Sequence, residues 1–309
     1  MIIPNWNGMA HLAECLDSVK GQTMQPDETI IVDNGSSDGS VEFVKSHYPW
    51  AKVIALSSNN GVGIALNRGI TASEGEFIAL LNNDIALMPG WLGTMVDALW
   101  RDESAGCVAS KMLKFYDRGR IDAAGDSLTR GGSPYSRGSD EPDDGRYGVR
   151  EYVFGACGAA ALFRRSMLDS VGLFDEEFIA YYEDVDLAFR SQLAGYKCLY
   201  VPDAVCYHKR GATYNRVSGF VIRMQERNLT ALYVKDFPLW LLLAKSPVII
   251  ASRLRRLYRT ARIGLGKPAL AGIWEGFRVM PVMLRKRKAV QMRRTVSLSY
   301  LRSFMKAHP

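Results

Sequence analysis

The segment Phe77-Ile78-Ala79-Leu80-Leu81-Asn82-Asn83-Asp84-Ile85 decides the fold that the sequence predicts. Its five apolar residues indicate a buried strand of a parallel sheet, because a short apolar run bounded by turn residues is typical of such strands. Asn82, Asn83 and Asp84 then fall at the carboxyl end of the strand, where open α/β sheets bind ligands. A carboxylate beside two amides can coordinate a hard divalent cation that carries a diphosphate. Alternatively, the triplet is only a turn in which Asp84 caps the following segment.

Length and charge divide the chain into two parts. Its 309 residues, 48% hydrophobic and 23% charged, suffice for one large α/β domain and an appendage. Residues 235–309 hold 17 Lys and Arg against 2 Asp and Glu, a net charge of +15, whereas the remainder has a net charge of −8. The basic region is therefore expected to contact an anionic surface, either membrane or nucleic acid. The acidic remainder is a poor candidate for nucleic-acid binding.

Neither the cysteines nor the amino terminus indicates a secreted protein. The five cysteines include no Cys-x-x-Cys pair, so a structural zinc site or a disulfide framework is not expected, and a reducing cytosol fits best. The amino terminus has no basic region followed by a long apolar run, so no signal peptide is predicted. Residues 1–4 are typical of the end of a strand, so we expect a truncated or late-assigned start.

Two further βα units are predicted before the Asn-Asn-Asp triplet. The β-branched run ending at Asp33 predicts a second strand, and an acid there can hold a ribose or a base edge; the alternative is a polar loop that caps a helix. After a third strand at 53–56, Gly61 and Gly63 permit close backbone approach, and Arg68 in the following helix could reach a phosphate. The spacing does not fit a P-loop, which disfavours an ATPase.

Three later segments leave alternatives open. Residues 119–150, rich in Gly, Ser, Asp, Pro and Arg, predict a long mobile excursion over the site, a loop that substrate orders, or a surface insertion. Glu183, Asp184 and Asp186 begin a helix, where carboxylates are ordinarily electrostatic caps but one can also serve as a general base. His208, near the end of a predicted edge strand, is structural unless it returns to the cation at Asp84.

The apolar run at 237–251 falls short of a spanning helix, because Lys245 and Pro247 interrupt it. Arginines follow directly, and Arg285-Lys286-Arg287-Lys288 adds a second basic cluster. Together they favour an interfacial helix on an anionic leaflet. The alternative is a helical appendage that packs on the main domain with a solvated basic face.

An ordered set of motifs resembles a known family over about residues 1–235. The motifs are Ile2-Ile3-Pro4-Asn5-Trp6-Asn7-Gly8, Val32-Asp33-Asn34-Gly35-Ser36-Ser37-Asp38-Gly39-Ser40, Asn59-Asn60-Gly61-Val62-Gly63, Asn67-Arg68-Gly69, Leu81-Asn82-Asn83-Asp84, Tyr182-Glu183-Asp184-Val185-Asp186-Leu187 and His208-Lys209-Arg210-Gly211. In this order they resemble glycosyltransferase family 2, and most closely its bacterial rhamnosyltransferase-like members.

The resemblance implies a GT-A fold, a Rossmann-like α/β architecture with a mostly parallel sheet flanked by helices. It also implies a role for each motif. Pro4, Asn5, Asp33 and Asn34 would bind the nucleotide, with Asp33 on the base or ribose; Asn59, Gly61, Asn67, Arg68, Asn82 and Asn83 would line the donor pocket; Asp84 and His208 would hold Mg²⁺ or Mn²⁺; Asp184 would be the catalytic base with Glu183 as its neighbour. Asn82 replaces the first acid of the family's Asp-x-Asp motif, which implies weaker metal binding.

These features together predict an inverting glycosyltransferase with a domain at 1–235 and a basic, amphipathic, membrane-peripheral region at 236–309. The expected donor is a dTDP-, UDP- or GDP-linked sugar, and rhamnose is one candidate for the sugar that is transferred. The acceptor is a glycan or polyprenyl-linked hydroxyl in cell-surface polysaccharide synthesis, at the inner face of the cell membrane. The alternatives are a nucleotide-sugar-binding protein without turnover and a polybasic nucleic-acid-binding protein. No nucleic-acid partner is expected.

Overall fold

The computed structural model describes residues 1–209 and 218–306. Arg210 and Gly211 of the last motif lie outside the described residues. The strands are β1 Ile2–Asn5, β2 Ile30–Asp33, β3 Lys52–Ala55, β4 Phe77–Leu81, β5 Ile85–Leu87, β6 Ala105–Lys114, β7 Ile121–Ala124, β8 Asp126–Thr129, β9 Pro134–Ser136, β10 Glu151–Val153, β11 Ala160–Arg164, β12 Lys197–His208 and β13 Met305–Lys306. The helices are α1 Met9–Lys20, α2 Ser40–His47, α3 Val62–Ala72, α4 Trp91–Arg101, α5 Arg165–Val171, α6 Glu183–Leu193, α7 Gly219–Lys235, α8 Leu239–Arg262, α9 Gly266–Met292 and α10 Leu298–Ser303.

The central sheet has the strand order β10-β12-β6-β11-β4-β1-β2-β3. Strands β4, β1, β2 and β3 run parallel, as do β6 and β12. Alternating strands and helices build this arrangement, because parallel neighbours need a crossover and an amphipathic helix supplies it. The predicted α/β fold with a mostly parallel central sheet is confirmed. An antiparallel strand, β11, lies between β4 and β6.

Helix α1 illustrates how the sequence pattern sets the layers. Its buried residues Leu12, Cys15, Leu16 and Val19 recur every three or four positions, so one face of the helix packs on the sheet. These side chains join Ile3, Ile31 and other strand residues in one hydrophobic cluster, while a second cluster covers the opposite sheet face. The sheet therefore lies between two apolar layers, and its loops project at the strand ends.

Strand β12 corrects two predictions. The segment ending at His208 was expected to be an edge strand, but β12 pairs with β6 on one side and with β10 and β5 on the other. The sequence pattern also predicts separate strands at 196–202 and 204–211, but Lys197–His208 forms one strand with a register irregularity between Val201 and Val205. Proline has no backbone N–H to donate to a ladder, and such an irregularity accommodates it.

Residues 119–150 contain three strands, β7, β8 and β9, so the segment is not a loop throughout. Strand β7 pairs with β6 in the central sheet, and β8 pairs with both β9 and the carboxyl-terminal β13. Short apolar runs such as Ile121-Asp122-Ala123-Ala124 are fully buried there. In this segment β8 has a partner that is distant in sequence, the carboxyl-terminal β13, and the local pattern does not reveal that pairing.

The carboxyl-terminal helices pack on the rest of the chain. A third hydrophobic cluster joins Phe154 and Phe189 to Ile249, Met283 and Val290. Helix α9 lies close against α7, since a Cβ at Gly272 would stand 2.2 Å from the carbonyl oxygen of Arg223. Within residues 1–209 and 218–306, no helix has both the length and the apolar character required to cross a membrane.

Candidate active site

A cavity of about 480 Å³ opens at the carboxyl ends of β1, β2 and β4. Open α/β sheets bind ligands at this edge, and pockets for small molecules measure roughly 300–1,000 Å³. All but three of the residues that the sequence predicted for the site line it. These are Pro4, Asn5, Asn34, Asn59, Gly61, Asn82, Asn83, Asp84, Glu183, Asp184 and His208. The structure does not bring Asp33, Asn67 and Arg68 to the cavity surface.

The floor of the cavity is a chain of hydrogen bonds that joins three strands. Asn83 Nδ2 donates to Asn5 Oδ1 over 2.7 Å, and Asn5 Nδ2 donates to Asp33 Oδ2 over 2.8 Å. Asp33 is only 2% exposed and also accepts from the backbone N–H of Ser36. Asp33 therefore supports the cavity from below and fixes the orientation of Asn5. Gly8 leaves room for this chain, because a Cβ there would stand 2.0 Å from Asn83 Nδ2.

One wall is formed by the loops after β2 and β3. Asn34 Nδ2 donates to Asn59 Oδ1 at 3.0 Å and to the carbonyl oxygen of Gly61 at 3.1 Å. Gly61 has a φ of +96°, and a Cβ there would lie 2.6 Å from the carbonyl oxygen of Ile179. That carbonyl accepts a hydrogen bond from the N–H of Val62. Glycine is thus required at position 61, both for its backbone conformation and for the close approach of the 179 segment.

Asn67 and Arg68, both on α3, have different environments. Asn67 donates to the carbonyl oxygen of Phe174 and accepts from its N–H, each over 2.9 Å. It therefore holds the segment that leads to the acidic helix α6 and does not itself face the cavity. Arg68 is exposed.

Asp84 and His208 meet at the other end of the cavity, because β12 carries His208 next to the strand that follows Asp84. The Oδ2 atom of Asp84 lies 3.4 Å from Nε2 of His208. Burial alone would raise the pKa of Asp84, but the hydrogen bond and charge of His208 outweigh it and lower that pKa. Burial lowers the pKa of His208, but its hydrogen bonds to Asp122 and Asp84 raise it to about 9.

Asp122 is a site residue that the sequence analysis missed. Its Oδ2 accepts a hydrogen bond from Nδ1–H of His208 over 2.7 Å, and the residue is 3% exposed. The sequence feature that could have identified Asp122 is an acid within the short apolar run of β7, but the composition of the surrounding segment is that of a loop. A buried acid in an otherwise apolar strand needs a polar partner, and that requirement points to a site.

The acidic pair begins helix α6 on the opposite side of the cavity. Asp184 Oδ2 accepts from the N–H of Gly158 at 3.0 Å, and Oδ1 accepts from the N–H of Val185 at 2.8 Å. Burial raises the pKa of Asp184 despite these hydrogen bonds. Burial and the charge of Asp184 raise the pKa of Glu183 to about 8. The buried Oε2 of Glu183 has no hydrogen-bond partner among the described residues.

A strained turn presents this pair, and Asn228 holds the turn. Tyr181 and Tyr182 have φ values of 67° and 69°, in the left-handed region that bulky residues avoid. Asn228, on α7 and fully buried, donates to the carbonyl oxygens of Ala180 and Tyr181 over 2.8 and 2.7 Å. No sequence motif marked Asn228, because its role depends on the packing of α7 against the turn, and Asn228 lies 48 and 47 residues after the two carbonyls that it holds.

The donor set at Asp84 and His208 fits a divalent cation. Neighbouring ligands of an octahedral ion with bonds of about 2.1 Å lie roughly 3 Å apart, close to the observed separation. The carboxylate of Asp122 behind the imidazole is the usual outer partner of a metal-binding histidine. No group of three or more His, Cys, Asp and Glu side chains in residues 1–209 and 218–306 is arranged as a metal cage. The protein would therefore supply two ligands, and bound diphosphate or water the others.

Solved structures of glycosyltransferases share this fold. A mannosyltransferase from Pyrobaculum calidifontis, in complex with GDP-Man and Mn²⁺, has a TM-score of 0.55 at 19% identity and covers 94% of this chain and 86% of its own. The Staphylococcus aureus protein TarS, residues 1–349 in complex with UDP, has a TM-score of 0.53 at 18% identity and covers 90% of each chain. The fold is GT-A.

Sequence comparison gives the family. Residues 1–172 match the model described as glycosyl transferase family 2, and residues 146–299 match glycosyl transferase family group 2. The Mycobacterium tuberculosis N-acetylglucosaminyl-diphospho-decaprenol L-rhamnosyltransferase is 31% identical over 66% of this chain and 73% of its own length. The Salmonella anatum O-antigen chain rhamnosyltransferase WbaN is 26% identical over 69% and 66%. The chain belongs to glycosyltransferase family 2, as a bacterial rhamnosyltransferase-like member.

Proposed function

We propose that the protein is an inverting, metal-dependent glycosyltransferase that moves a sugar from a nucleotide-diphosphate donor to a hydroxyl group. The observation that carries the proposal is that Asp184 and the Asp84–His208 pair line one cavity with room for a nucleotide sugar. The sequence similarity of this chain to two rhamnosyltransferases, at 31% and 26% identity, makes rhamnose the first candidate sugar. Asp33 and Asn67 are assigned indirect roles, since they lie outside the cavity lining and hold Asn5 and the segment before α6. Arg68, which is exposed, is assigned no role.

The donor half of the site would hold the nucleotide and its diphosphate. Pro4, Asn5 and Asn34 are assigned to the nucleotide, and Asn59, Gly61, Asn82 and Asn83 to the donor pocket. Asp33 would act through Asn5, whose amide it fixes by a hydrogen bond of 2.8 Å. The amides at these positions present uncharged donors and acceptors to a ligand that is itself strongly anionic, so they avoid charge repulsion with it.

A Mg²⁺ or Mn²⁺ ion held by Asp84 and His208 would neutralise the negative charge that gathers on the departing diphosphate. Two solved neighbours, the Pyrobaculum mannosyltransferase and GalNAc-T7, contain Mn²⁺. In this chain the imidazole of His208 would supply the nitrogen ligand, and Asp122 orients its ring.

Asp184 would remove the acceptor proton. As the acceptor oxygen bonds to the anomeric carbon, the bond from that carbon to the diphosphate oxygen breaks and its electron pair leaves with the nucleoside diphosphate. The acceptor proton passes to the carboxylate of Asp184. One displacement from the face opposite the diphosphate inverts the anomeric centre. Burial supports this role, because a carboxyl whose pKa is raised holds the proton better.

The acceptor would be a glycan or a polyprenyl-linked glycan in cell-surface polysaccharide synthesis, at the inner face of the cell membrane. The name of the Mycobacterium tuberculosis relative contains a diphospho-decaprenol, which supports a lipid-linked acceptor. The basic region at 236–309 would keep the enzyme at that membrane as a peripheral protein. The acidic net charge of the remainder disfavours nucleic acid as a partner.

Nucleotide release tests the proposal directly. Full-length protein is incubated with dTDP-rhamnose, UDP-sugars and GDP-mannose in turn, with Mn²⁺ and with an excess of chelator. We expect one donor to be consumed in the presence of Mn²⁺ and not after chelation. A protein that binds a donor but releases no nucleotide with any of them would be a nucleotide-sugar-binding protein without turnover.

A further inference from the structure

We infer that helices α8 and α9 form a membrane-docking surface on which the protein meets an anionic lipid bilayer. The inference rests on the proposed function for its purpose, the presentation of a lipid-linked acceptor to the cavity. Its physical basis is independent of the chemistry and lies in the side chains that these two helices leave uncovered.

Helix α8 exposes an apolar stripe along one face. Trp240, Leu243, Leu254 and Tyr258 recur at helical spacing and are between 53% and 73% exposed. Isolated apolar side chains are normal on protein surfaces, but a continuous row of large ones marks an interaction site. An aromatic ring at each end of the row suits the boundary between headgroups and acyl chains.

Helix α9 repeats the pattern. Leu270, Trp274 and Phe277 are between 53% and 62% exposed and lie on one face, at spacings of four and three residues. The opposite face carries small residues against α7. A Cβ at Gly276 would lie 2.6 Å from Thr230, so this side of the helix is in close contact with the domain. The apolar stripe therefore faces away from the protein.

Basic residues border both stripes. Arg255, Arg259 and Arg262 are exposed on α8, and Arg278 and Arg285 are exposed on α9. The acids of residues 235–309 do not neutralise them. Asp236 is fully buried, and Glu275 forms an ion pair with Arg223 of α7. An apolar face bordered by uncompensated arginines matches a bilayer that contains anionic headgroups, and each such residue adds about 1 kcal/mol near that surface.

Charge also argues against the other occupants of this face. A second copy of the chain would bring two sets of arginines together, which costs electrostatic free energy. Nucleic acid would pair with the arginines but would leave the leucines, tryptophans and phenylalanine without an apolar partner. A bilayer satisfies both parts of the surface at once.

The surface adjoins the mouth of the cavity. Phe220 and Val221, in the first turn of α7, line the cavity. Pro268 of α9 packs against Gly219 of α7, since a Cβ added to Gly219 would stand 3.1 Å from Cγ of Pro268. The start of α9, with Leu270 exposed beside it, therefore touches the rim of the site. A lipid-linked acceptor held in the bilayer would enter from this side.

Vesicle flotation tests the inference with the full chain. The vesicles are phosphatidylcholine alone or phosphatidylcholine mixed with phosphatidylglycerol. The double variant Leu254→Glu, Trp274→Glu removes apolar contacts from both helices. Trp100→Glu is the matched control, because Trp100 is on α4 and is 65% exposed, against 62% for Trp274. A third variant, Arg255→Gln, Arg278→Gln, removes charge only.

We expect the wild type and Trp100→Glu to float with the anionic vesicles. The apolar double variant should partition about tenfold or more weakly, since a buried leucine or aromatic side chain contributes about 1.5–3 kcal/mol. The arginine variant should lose binding to anionic vesicles and keep whatever binding it has to neutral ones. Salt should weaken the wild type in the same way.

Several results would overturn the inference. They are a wild type that does not float, a double variant that floats as well as Trp100→Glu, and a concentration-dependent dimer in light scattering that the apolar substitutions dissociate.

Donor hydrolysis in vesicle-free solution separates this inference from the proposed function. If the wild type floats but neither it nor any variant hydrolyses a donor, the proposed enzymatic function is rejected and the membrane-docking surface is retained. If the apolar double variant is unfolded by circular dichroism, the arginine variant decides, and unchanged flotation on anionic vesicles then rejects the surface.

Discussion

The Nδ1–H group of His208 donates a hydrogen bond to Oδ2 of Asp122 over 2.7 Å, on the side of the ring opposite Asp84. The contact joins β12 to β7 through two residues that are 86 positions apart in sequence. It sets the ring so that Nε2 points to Asp84 and the cavity. The proposed nitrogen ligand is thus oriented by a buried carboxylate that does not itself line the cavity.

Replacing Asp122 should weaken metal binding. Outer partners of metal-binding histidines contribute about 10–100-fold to metal affinity, because they fix the ring and raise its basicity. We expect Asp122→Ala to bind Mn²⁺ more weakly by that factor in a titration followed by water proton relaxation. The control is Asp143→Ala, which replaces an exposed acid that lies between β7 and β12 in the sequence and should bind Mn²⁺ like the wild type. Equal Mn²⁺ affinity in both variants would show that Asp122 does not position the ligand.

Replacing Asp184 should separate binding from turnover. The variant Asp184→Asn keeps the size of the side chain and can still accept a hydrogen bond, but it cannot take a proton. We expect an unchanged dissociation constant for the donor and a loss of kcat by about two to four orders of magnitude. Asp169→Asn, an exposed acid on α5, is the matched control. Near-normal turnover in Asp184→Asn would reject Asp184 as the base.

Glu183 should make stability depend on pH in a defined window. Its pKa rises from an ordinary 4.5 to about 8 in the folded protein, because of burial and the charge of Asp184. A carboxyl whose pKa is raised contributes stability that is present below about pH 4.5 and is lost as the pH rises towards about 8. Glu183→Gln does not titrate, so its free energy of unfolding relative to the wild type should increase across this window.

Denaturant unfolding at a series of pH values measures this difference. Glu103→Gln, at an exposed position, should follow the wild type at every pH. If the curve of Glu183→Gln runs parallel to that of the wild type, Glu183 does not carry the raised pKa.

Lys235 should be essential for stability. It is buried between the carboxylates of Asp175 and Asp186, and Lys286 of α9 completes the cluster. Removing one partner leaves buried charges uncompensated, so Lys235→Met should lower the free energy of unfolding by about 3–5 kcal/mol. Lys288→Met, at an exposed site on the same helix as Lys286, should change it by less than about 0.5 kcal/mol. A neutral effect of Lys235→Met in chemical denaturation would contradict the cluster's role.

Gly61 should be required for donor binding. An alanine Cβ at position 61 would meet the carbonyl oxygen of Ile179 at 2.6 Å and would push the 179–181 segment of the cavity wall away. We expect Gly61→Ala to weaken donor binding in calorimetry and to lower stability. Gly264→Ala is a matched control, because that residue also has a positive φ but no atom within 4 Å of an added Cβ. Equal donor affinity in the two variants would show that the close approach at Gly61 is not needed.

Much of the donor half of the site was predictable from the sequence because its residues follow directly after predicted strands. Asn5, Asn34 and Asp84 each end or follow a parallel strand, and the ends of neighbouring parallel strands meet at one sheet edge. Asp33 shows the limit of this reasoning. It lies at the expected strand end, yet its carboxylate points beneath the cavity, where Asn5 covers it.

The misses have a common physical cause. Asp122 and Asn228 act through partners distant in sequence, and periodicity reports only on local structure. The segment at 119–150 contained the polar and glycine residues of loops, but three of its short runs form strands: β7 pairs with β6, β9 with β8, and β8 also with the distant β13. Pairing across a sheet overrides weak local propensity.

The sequence by itself determined the first alternating strands and helices, the polar residues at the ends of those strands and the charge of the carboxyl-terminal region, because hydrophobic period and composition are local properties. Only the tertiary structure decided which acid faces the cavity, which one orients His208 and which face of α8 and α9 stays uncovered. Those outcomes depend on which distant elements pack together, since a side chain's surroundings are set by neighbours in space and not along the chain.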